Sequence, residues 1–274
     1  MRRLLIPSLL VLSLVACDRG QPPAPPATST PAPDASTGPA APPVAEVKLT
    51  DVVETTPDYV IGITYPPNAS RYPGLAAELK AYADAARGEL MQALPGRAQS
   101  DSGAMYELSL TFSELYATPE LVAVAADGDT YTGGAHGNPL IARFVWLPQQ
   151  GKALKASDLV TSEAGWKAIA GYVREQLHTA LSQRVDADDL PPAERADVIK
   201  SAGKMIDEGT DASPENFAQF EPLAGAGGKL RGLRFVFAPY QVGPYSDGTQ
   251  HVEVPAAVLL PHVAPQYRGL FAAN

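Results

Sequence analysis

Cysteine is almost absent from this 274-residue chain. Cys17 is the only one, so no internal disulfide can form, and stability must come from a core large enough to do without one. Histidine is scarce too. The four, His136, His178, His251 and His262, include no pair at the spacing that puts two metal ligands on one helix face, and neither a metal nor a cofactor is expected. Asp186, Asp188 and Asp189 look superficially like a calcium loop, but no glycine follows where such a loop turns and Pro191 intervenes, so they read as a solvated acidic turn. There is no G-x-S-x-G nucleophile elbow. No apolar run approaches the roughly 20 residues needed to span a bilayer. Basic residues are outnumbered, 21 Lys plus Arg against 30 Asp plus Glu for a net charge of −9, which leaves no electrostatic footprint for nucleic acid.

What is present begins with a leader. Arg2 and Arg3 precede the apolar stretch Leu4 to Val15, and Leu14, Val15, Ala16 and Cys17 resemble a bacterial lipobox at the end of a secretory signal. The expectation is a signal over residues 1–17, acylation of Cys17, and attachment through its lipid at the periplasmic face of the cell envelope, with the inner and outer membranes both open. An ordinary signal with an accidental cysteine is the plainer alternative. Cleavage removes Arg2 and Arg3 and takes the net charge from −9 to −11, a balance that favours cationic partners and steers their approach. Residues 18–46 are mostly Pro and Ala with scattered Ser, Thr and Gly. They read as a disordered tether reaching on the order of 80 to 90 Å if stretched, or as a Pro-rich ligand for a partner domain.

From Val47 onward the period of the apolar residues alternates between strand and helix. Tyr59 to Tyr65 is short, aromatic and β-branched and stops at Pro66 and Pro67, which reads as a strand. Pro73 opens a helical stripe through Leu75, Leu79, Tyr82, Ala86, Leu90 and Leu94 that Pro95 and Gly96 should end. Met105 to Tyr116 and Leu121 to Ala126 read as strands, and Leu140 to Leu147 with Ala153 to Lys155 as a hairpin about Gln149, Gln150 and Gly151. Trp166, Ile169, Ala170, Val173, Leu177 and Leu181 form a second helical stripe. Another helix follows Pro191 and Pro192, and Leu230 to Phe237 and His251 to Val254 close the chain as strands. Strands at both ends with helices between them predict an α+β fold, with helices on a mostly antiparallel sheet.

Two loops carry the most distinctive residues: YTGGAHGN over 131–138, and PYQVGPYSDG over 239–248, directly after the strand RFVF. Together with the Trp166 to Leu181 stripe and the closing VEVP, they resemble the paired extracytoplasmic domains of the RsiV/PdaC-like family, over most of Val47 to His262. The resemblance implies two packed α+β units, a PdaC-like one over 47–138 and an RsiV-like one over 139–274. RsiV is a lysozyme sensor, so the resemblance also implies a domain able to present loops to a muramidase. The chain departs from both relatives: it shows neither the RsiV membrane helix and cytoplasmic segment nor the PdaC catalytic domain.

The candidate binding residues are Tyr131, His136, Asn138, Tyr240, Pro244 and Tyr245, with Cys17 for lipidation and no catalytic or metal residue. Each has a plainer reading. His136 in a glycine-rich turn can simply satisfy nearby backbone, with Gly133, Gly134 and Gly137 present for positive φ. Tyr240 and Tyr245 are contact anchors or pack over the sheet edge. His178, one residue beyond the stripe position Leu177, reads as a helix-surface residue. Three functions follow: a non-enzymatic binding module for a basic muramidase or peptidoglycan, a structural envelope protein without a specific ligand, or a glycan-active enzyme built on His136. The sequence specifies no oligomeric state.

Overall fold

The computed structural model describes residues 47–97, 103–188 and 190–272. The leader, lipobox and tether over 1–46, and Asp189 of the acidic turn, lie outside them. The elements run β1 (Val52–Thr55), β2 (Tyr59–Thr64), α1 (Pro73–Arg97), β3 (Tyr106–Ala117), β4 (Val122–Tyr131), β5 (Asn138–Leu147), β6 (Lys152–Ala153), α2 (Ala156–Leu159), α3 (Glu163–Ala187), α4 (Pro192–Gly209), β7 (Phe220–Ala224), β8 (Leu230–Phe237), β9 (Gln250–Pro255) and α5 (Ala256–Leu259). β1 to β6 form one sheet in sequence order, and β7 to β9 form a second. Every pairing is antiparallel except that of β2 with β3, which α1 connects. This is the expected α+β arrangement of helices on mostly antiparallel sheets.

Burial along the strands shows how the layers stack. In β3, Tyr106, Leu108, Leu110 and Phe112 are buried while the residues between them are exposed, the alternation of a sheet with one wet face. Their partners are Leu75, Leu79, Ala83, Ala86 and Leu90 of α1. In β4 the run Val122 to Ala126 is buried throughout, because this part of the sheet is covered on both faces. Val122, Val124 and Ala126 meet the α1 side. Leu121 and Ala123, with Val145 and Leu147 of β5, join a second core built from α3 and the three-stranded sheet. Full burial of each such side chain contributes roughly 1.5 to 3 kcal/mol.

The second core is aromatic at its centre. Phe217 stacks with Trp166 at 5.4 Å and meets Phe235 edge-on at 5.2 Å, and the Trp166 indole N–H donates to the Val160 carbonyl at 2.9 Å. Ser162 caps α3 by accepting from Gly165 N–H at 3.1 Å. The whole predicted stripe, Trp166 through Leu181, is buried, and Val185 extends it. Arg143 ties the two sheets together. Its side chain is 4% exposed and reaches Asp127 at 2.9 Å and Glu221 of β7 at 2.7 Å.

Several details depart from the sequence reading. α1 continues through Pro95 to Arg97, since a proline in the last turn forfeits little of the hydrogen-bond ladder. β4 runs on to Tyr131 through Asp127, Gly128 and Asp129. Gly128 permits this, because a Cβ there would lie 1.9 Å from the Ser109 carbonyl oxygen. β1 and β7 were not anticipated. His178 lies on the surface of α3 as expected, and there its Nε2 meets Asp207 of α4 at 3.0 Å. The six-stranded sheet also takes in β5 and β6, beyond the expected unit boundary at residue 138.

Candidate functional site

The two distinctive loops meet. β4 ends at Tyr131 and β5 begins at Asn138, so the GGAH turn joins adjacent strands of the first sheet. The PYQVGPYSDG loop joins β8 to β9 in the second. Where they converge, His136, Tyr240 and Tyr245 form an aromatic cluster. The His136 and Tyr245 rings stack at 3.8 Å with 17° between planes, and Tyr240 lies 5.6 Å from Tyr245 and 6.2 Å from His136. His136 Nδ1 lies 2.9 Å from the Gly137 carbonyl and Nε2 lies 3.1 Å from the Tyr240 hydroxyl. A carbonyl only accepts, so Nδ1 carries the hydrogen and Nε2 of the neutral ring accepts from the Tyr240 O–H. The Tyr245 hydroxyl donates to the same Gly137 oxygen at 3.3 Å, filling its second lone pair.

Local structure holds each part. Gly133 and Gly134 sit at φ 98° and 100°, as expected for this turn, and the Tyr131 hydroxyl donates to the Gly134 carbonyl at 3.2 Å. Gly137 differs from expectation. It is not among the positive-φ glycines. Its surroundings are close, since a Cβ would lie 3.1 Å from an Asp129 carboxylate oxygen and 3.2 Å from the Thr130 carbonyl, and these neighbours would have to give by a few tenths of an ångström. Asp129 thereby places negative charge beside the cluster.

On the facing loop, Tyr240 is the one non-glycine residue at positive φ among those described, at 72°. The residue is nonetheless 56% exposed. A left-handed conformation costs an L-residue about 1 to 2 kcal/mol, and the surrounding contacts hold it there. Tyr240 N–H donates to Gly243 at 3.0 Å and Gln241 N–H to Ala238 at 3.0 Å. The Gln241 amide reaches the carbonyls of Asn216 at 2.9 Å and Gly209 at 3.3 Å, and Val242 is buried. Arg184 of α3 pairs with Asp247 at 2.7 Å, fixing the far end of the loop.

Of the candidates, the structure brings together His136, Tyr240 and Tyr245, with Tyr131 bracing the turn from beneath. Tyr245 is half-buried by its stack and hydrogen bond, so Tyr240 is the outward ring. Pro244 is exposed and precedes the short turn over Tyr245–Asp247. Asn138 opens β5 opposite Thr130, where strand pairing accounts for its place. Gln241, Asp129 and the Arg184 to Asp247 pair were not foreseen. Among the described residues, no group of three or more His, Cys, Asp or Glu is placed to hold a metal ion, and no helix is long and apolar enough to cross a membrane.

Comparison with known proteins agrees with this architecture. Residues 157–257 match the profile of a family described as protein of unknown function, DUF3298. That match takes in α3, α4 and the second sheet, including the tyrosine-bearing loop. A DUF3298-family protein of Bacteroides fragilis NCTC 9343 has a similar fold, with a TM-score of 0.50 over 81% of this chain and 94% of its own, at 16% identity. A DUF3298-family protein of Pseudomonas aeruginosa PAO1 aligns with a TM-score of 0.48 over 82% and 94%, at 18% identity. No curated protein matches.

Proposed function

We propose that this chain is the binding module of a lipid-anchored envelope protein at the periplasmic face, and that the surface of His136, Tyr240 and Tyr245 engages a cell-envelope partner, a basic muramidase or peptidoglycan itself. The carrying observation is Tyr240, a large aromatic ring held out to solvent on a strained backbone. The exposed hydroxyl bond to His136 at 3.1 Å returns little stability for that strain. Tyrosine is an effective contact anchor, because it covers a large area at small entropic cost and keeps a polar tip. The acidic balance of the chain and Asp129 beside the cluster favour a cationic partner. The lipobox-like leader supports an anchored location, and the RsiV/PdaC-like resemblance supports a muramidase as partner. Binding suits the cluster better than catalysis. His136 Nδ1 is held by the Gly137 carbonyl and not by a carboxylate that would stabilise an imidazolium.

The test is surface plasmon resonance with the chain lacking its leader, against a basic muramidase, beside pull-down on insoluble peptidoglycan. Micromolar or tighter binding is expected, and Tyr240→Ala should weaken it by roughly 1 to 3 kcal/mol. Raising ionic strength should slow association far more than it speeds dissociation, because long-range steering is screened and short-range contacts are not. Muramidase binding that ignores Tyr240 would move the contact surface elsewhere. Absence of binding in both assays would favour a structural protein without a specific ligand.

A further inference from the structure

A recess of about 370 Å3 lies away from the aromatic cluster and falls within the size range of small-ligand sites. It follows an open sheet edge. β5 pairs with β4 from Asn138 to Trp146, but on its other side it meets only the two residues of β6, at Trp146 and Leu147. Farther along that edge, isolated groups substitute for a strand. The Gln219 side-chain oxygen accepts from Arg143 N–H at 2.6 Å, and Leu154 N–H donates to the Val145 carbonyl at 2.7 Å. In an antiparallel ladder the N–H and C=O of one residue face the same side. The Arg143 carbonyl and Val145 N–H are therefore turned to this edge as well, giving an extended ligand an acceptor and a donor beside the apolar walls of Phe144, Val145 and Leu154.

The recess is lined by Glu215, which accepts from the Ser213 hydroxyl, and by two opposite charges, Glu78 from α1 and Lys155 just before α2. They influence each other electrostatically, yet they form no ion pair among the described residues. Arg143 is not free to serve a ligand. Its guanidinium is committed to Asp127, Glu221 and the carbonyls of Ala126 and Ala142. Glu78 remains exposed, but partial burial raises its carboxyl above its ordinary value, and Lys155 only partly opposes this. A cation arriving beside Glu78 would compensate that burial.

We propose that this recess binds a short zwitterionic peptide, a di- or tripeptide with free ends, its ammonium on Glu78, its carboxylate on Lys155 and its backbone along the β5 edge. A zwitterion satisfies both unpaired charges at once, and a peptide backbone matches the alternating donor and acceptor of a strand edge.

Isothermal titration of the chain lacking its leader with alanyl-alanine tests this, beside N-acetyl-alanyl-alanine and alanyl-alanine amide. Saturable binding of the free dipeptide is expected, weakened ten-fold or more by blocking either end. Glu78→Gln should abolish the preference for a free amine, and Lys155→Gln the preference for a free carboxylate, each with a cooperative melt recorded to show that the variant folds. Tyr240→Ala should leave dipeptide binding unchanged, which separates this site from the aromatic surface. No saturable heat at millimolar dipeptide would overturn the proposal. So would end-blocked peptides that bind the unmodified chain as tightly as the free one, a comparison that does not depend on any variant folding.

Discussion

Replacing Tyr240 separates the cost of its backbone from the value of its side chain. At φ 72° an L-residue carries about 1 to 2 kcal/mol of strain, whereas glycine carries almost none. Tyr240→Ala keeps the strain and deletes the hydroxyl bonded to His136 at 3.1 Å, worth about 0.5 to 1.5 kcal/mol net and less in so exposed a position. Tyr240→Gly deletes the same contacts but releases the strain. At an ordinary site alanine is the more stable of the two, by about 0.4 to 1 kcal/mol, because glycine has more unfolded-state freedom to lose. Here the order should reverse, with the glycine variant about 1 kcal/mol more stable than the alanine variant and close to the unmodified protein. In a domain of this size that difference is about 2 to 4 °C in Tm. Urea unfolding followed by fluorescence suits the measurement, since both tryptophans, Trp146 and Trp166, are buried and equal slopes would show that only stability changed. An alanine variant as stable as the glycine variant would refute the assignment of strain to Tyr240. If partner binding is what retains the tyrosine, both variants should lose it equally.

Leu177 is 5% exposed in the second core, so Leu177→Ala should cost roughly 2 to 5 kcal/mol, while Lys155→Ala should cost little; equal denaturation midpoints would contradict this. Gly134 at φ 100° makes Gly134→Val destabilising, and the exposed His136 makes His136→Ala mild, an order that thermal melts by circular dichroism can check. Because the folded-state pKa of Glu78 is raised chiefly by burial, its contribution is greatest at low pH and is lost as pH rises through the folded value. Glu78→Gln should therefore be more stable than the unmodified protein at neutral pH, with the gap closing in acid; urea midpoints that stay parallel across pH 3 to 7 would argue against it. Cys17→Ser should release the protein from membranes without lowering its Tm, and fractionation that still finds it membrane-bound after signal cleavage would exclude the lipid anchor.

Periodicity made the long elements legible. The α1 and α3 stripes repeat at three and four residues over about four to five turns, and no strand of plausible length can accommodate that pattern. The strands that escaped notice are the ones whose residues are decided by neighbours far along the chain. β7 contains Glu221 and Pro222, poor strand residues on propensity alone. Glu221 belongs there because Arg143, on a strand of the other sheet, needs its carboxylate. The extension of β4 through Asp127, Gly128 and Asp129 resembles a turn locally and is a strand only because the backbone of β3 lies against it. The meaning of Gly137 was obscured in the same way, since a glycine that yields space and one that turns the chain are identical in sequence.

The site was half legible for a related reason. Glycines, prolines and tyrosines clustered between strands marked both loops as conformationally demanding, so His136, Tyr240 and Tyr245 stood out individually. That His136 and Tyr245 stack could not be read, because more than a hundred residues separate them and no local pattern records the packing of one sheet against the other. The β5 recess lies at the opposite extreme. Glu78, Val145 and Lys155 come from a helix, a strand edge and a loop, each ordinary in its own segment, and only the early end of β6 leaves the edge open between them. Motif-bearing loops and motif-free recesses therefore call for different tests. In the first, single substitutions at the conspicuous residues are informative, because a strained tyrosine has few reasons to persist other than contact. In the second, changing the ligand is the sharper probe: removing one charge from alanyl-alanine interrogates Glu78 or Lys155 without disturbing the packing that created the space.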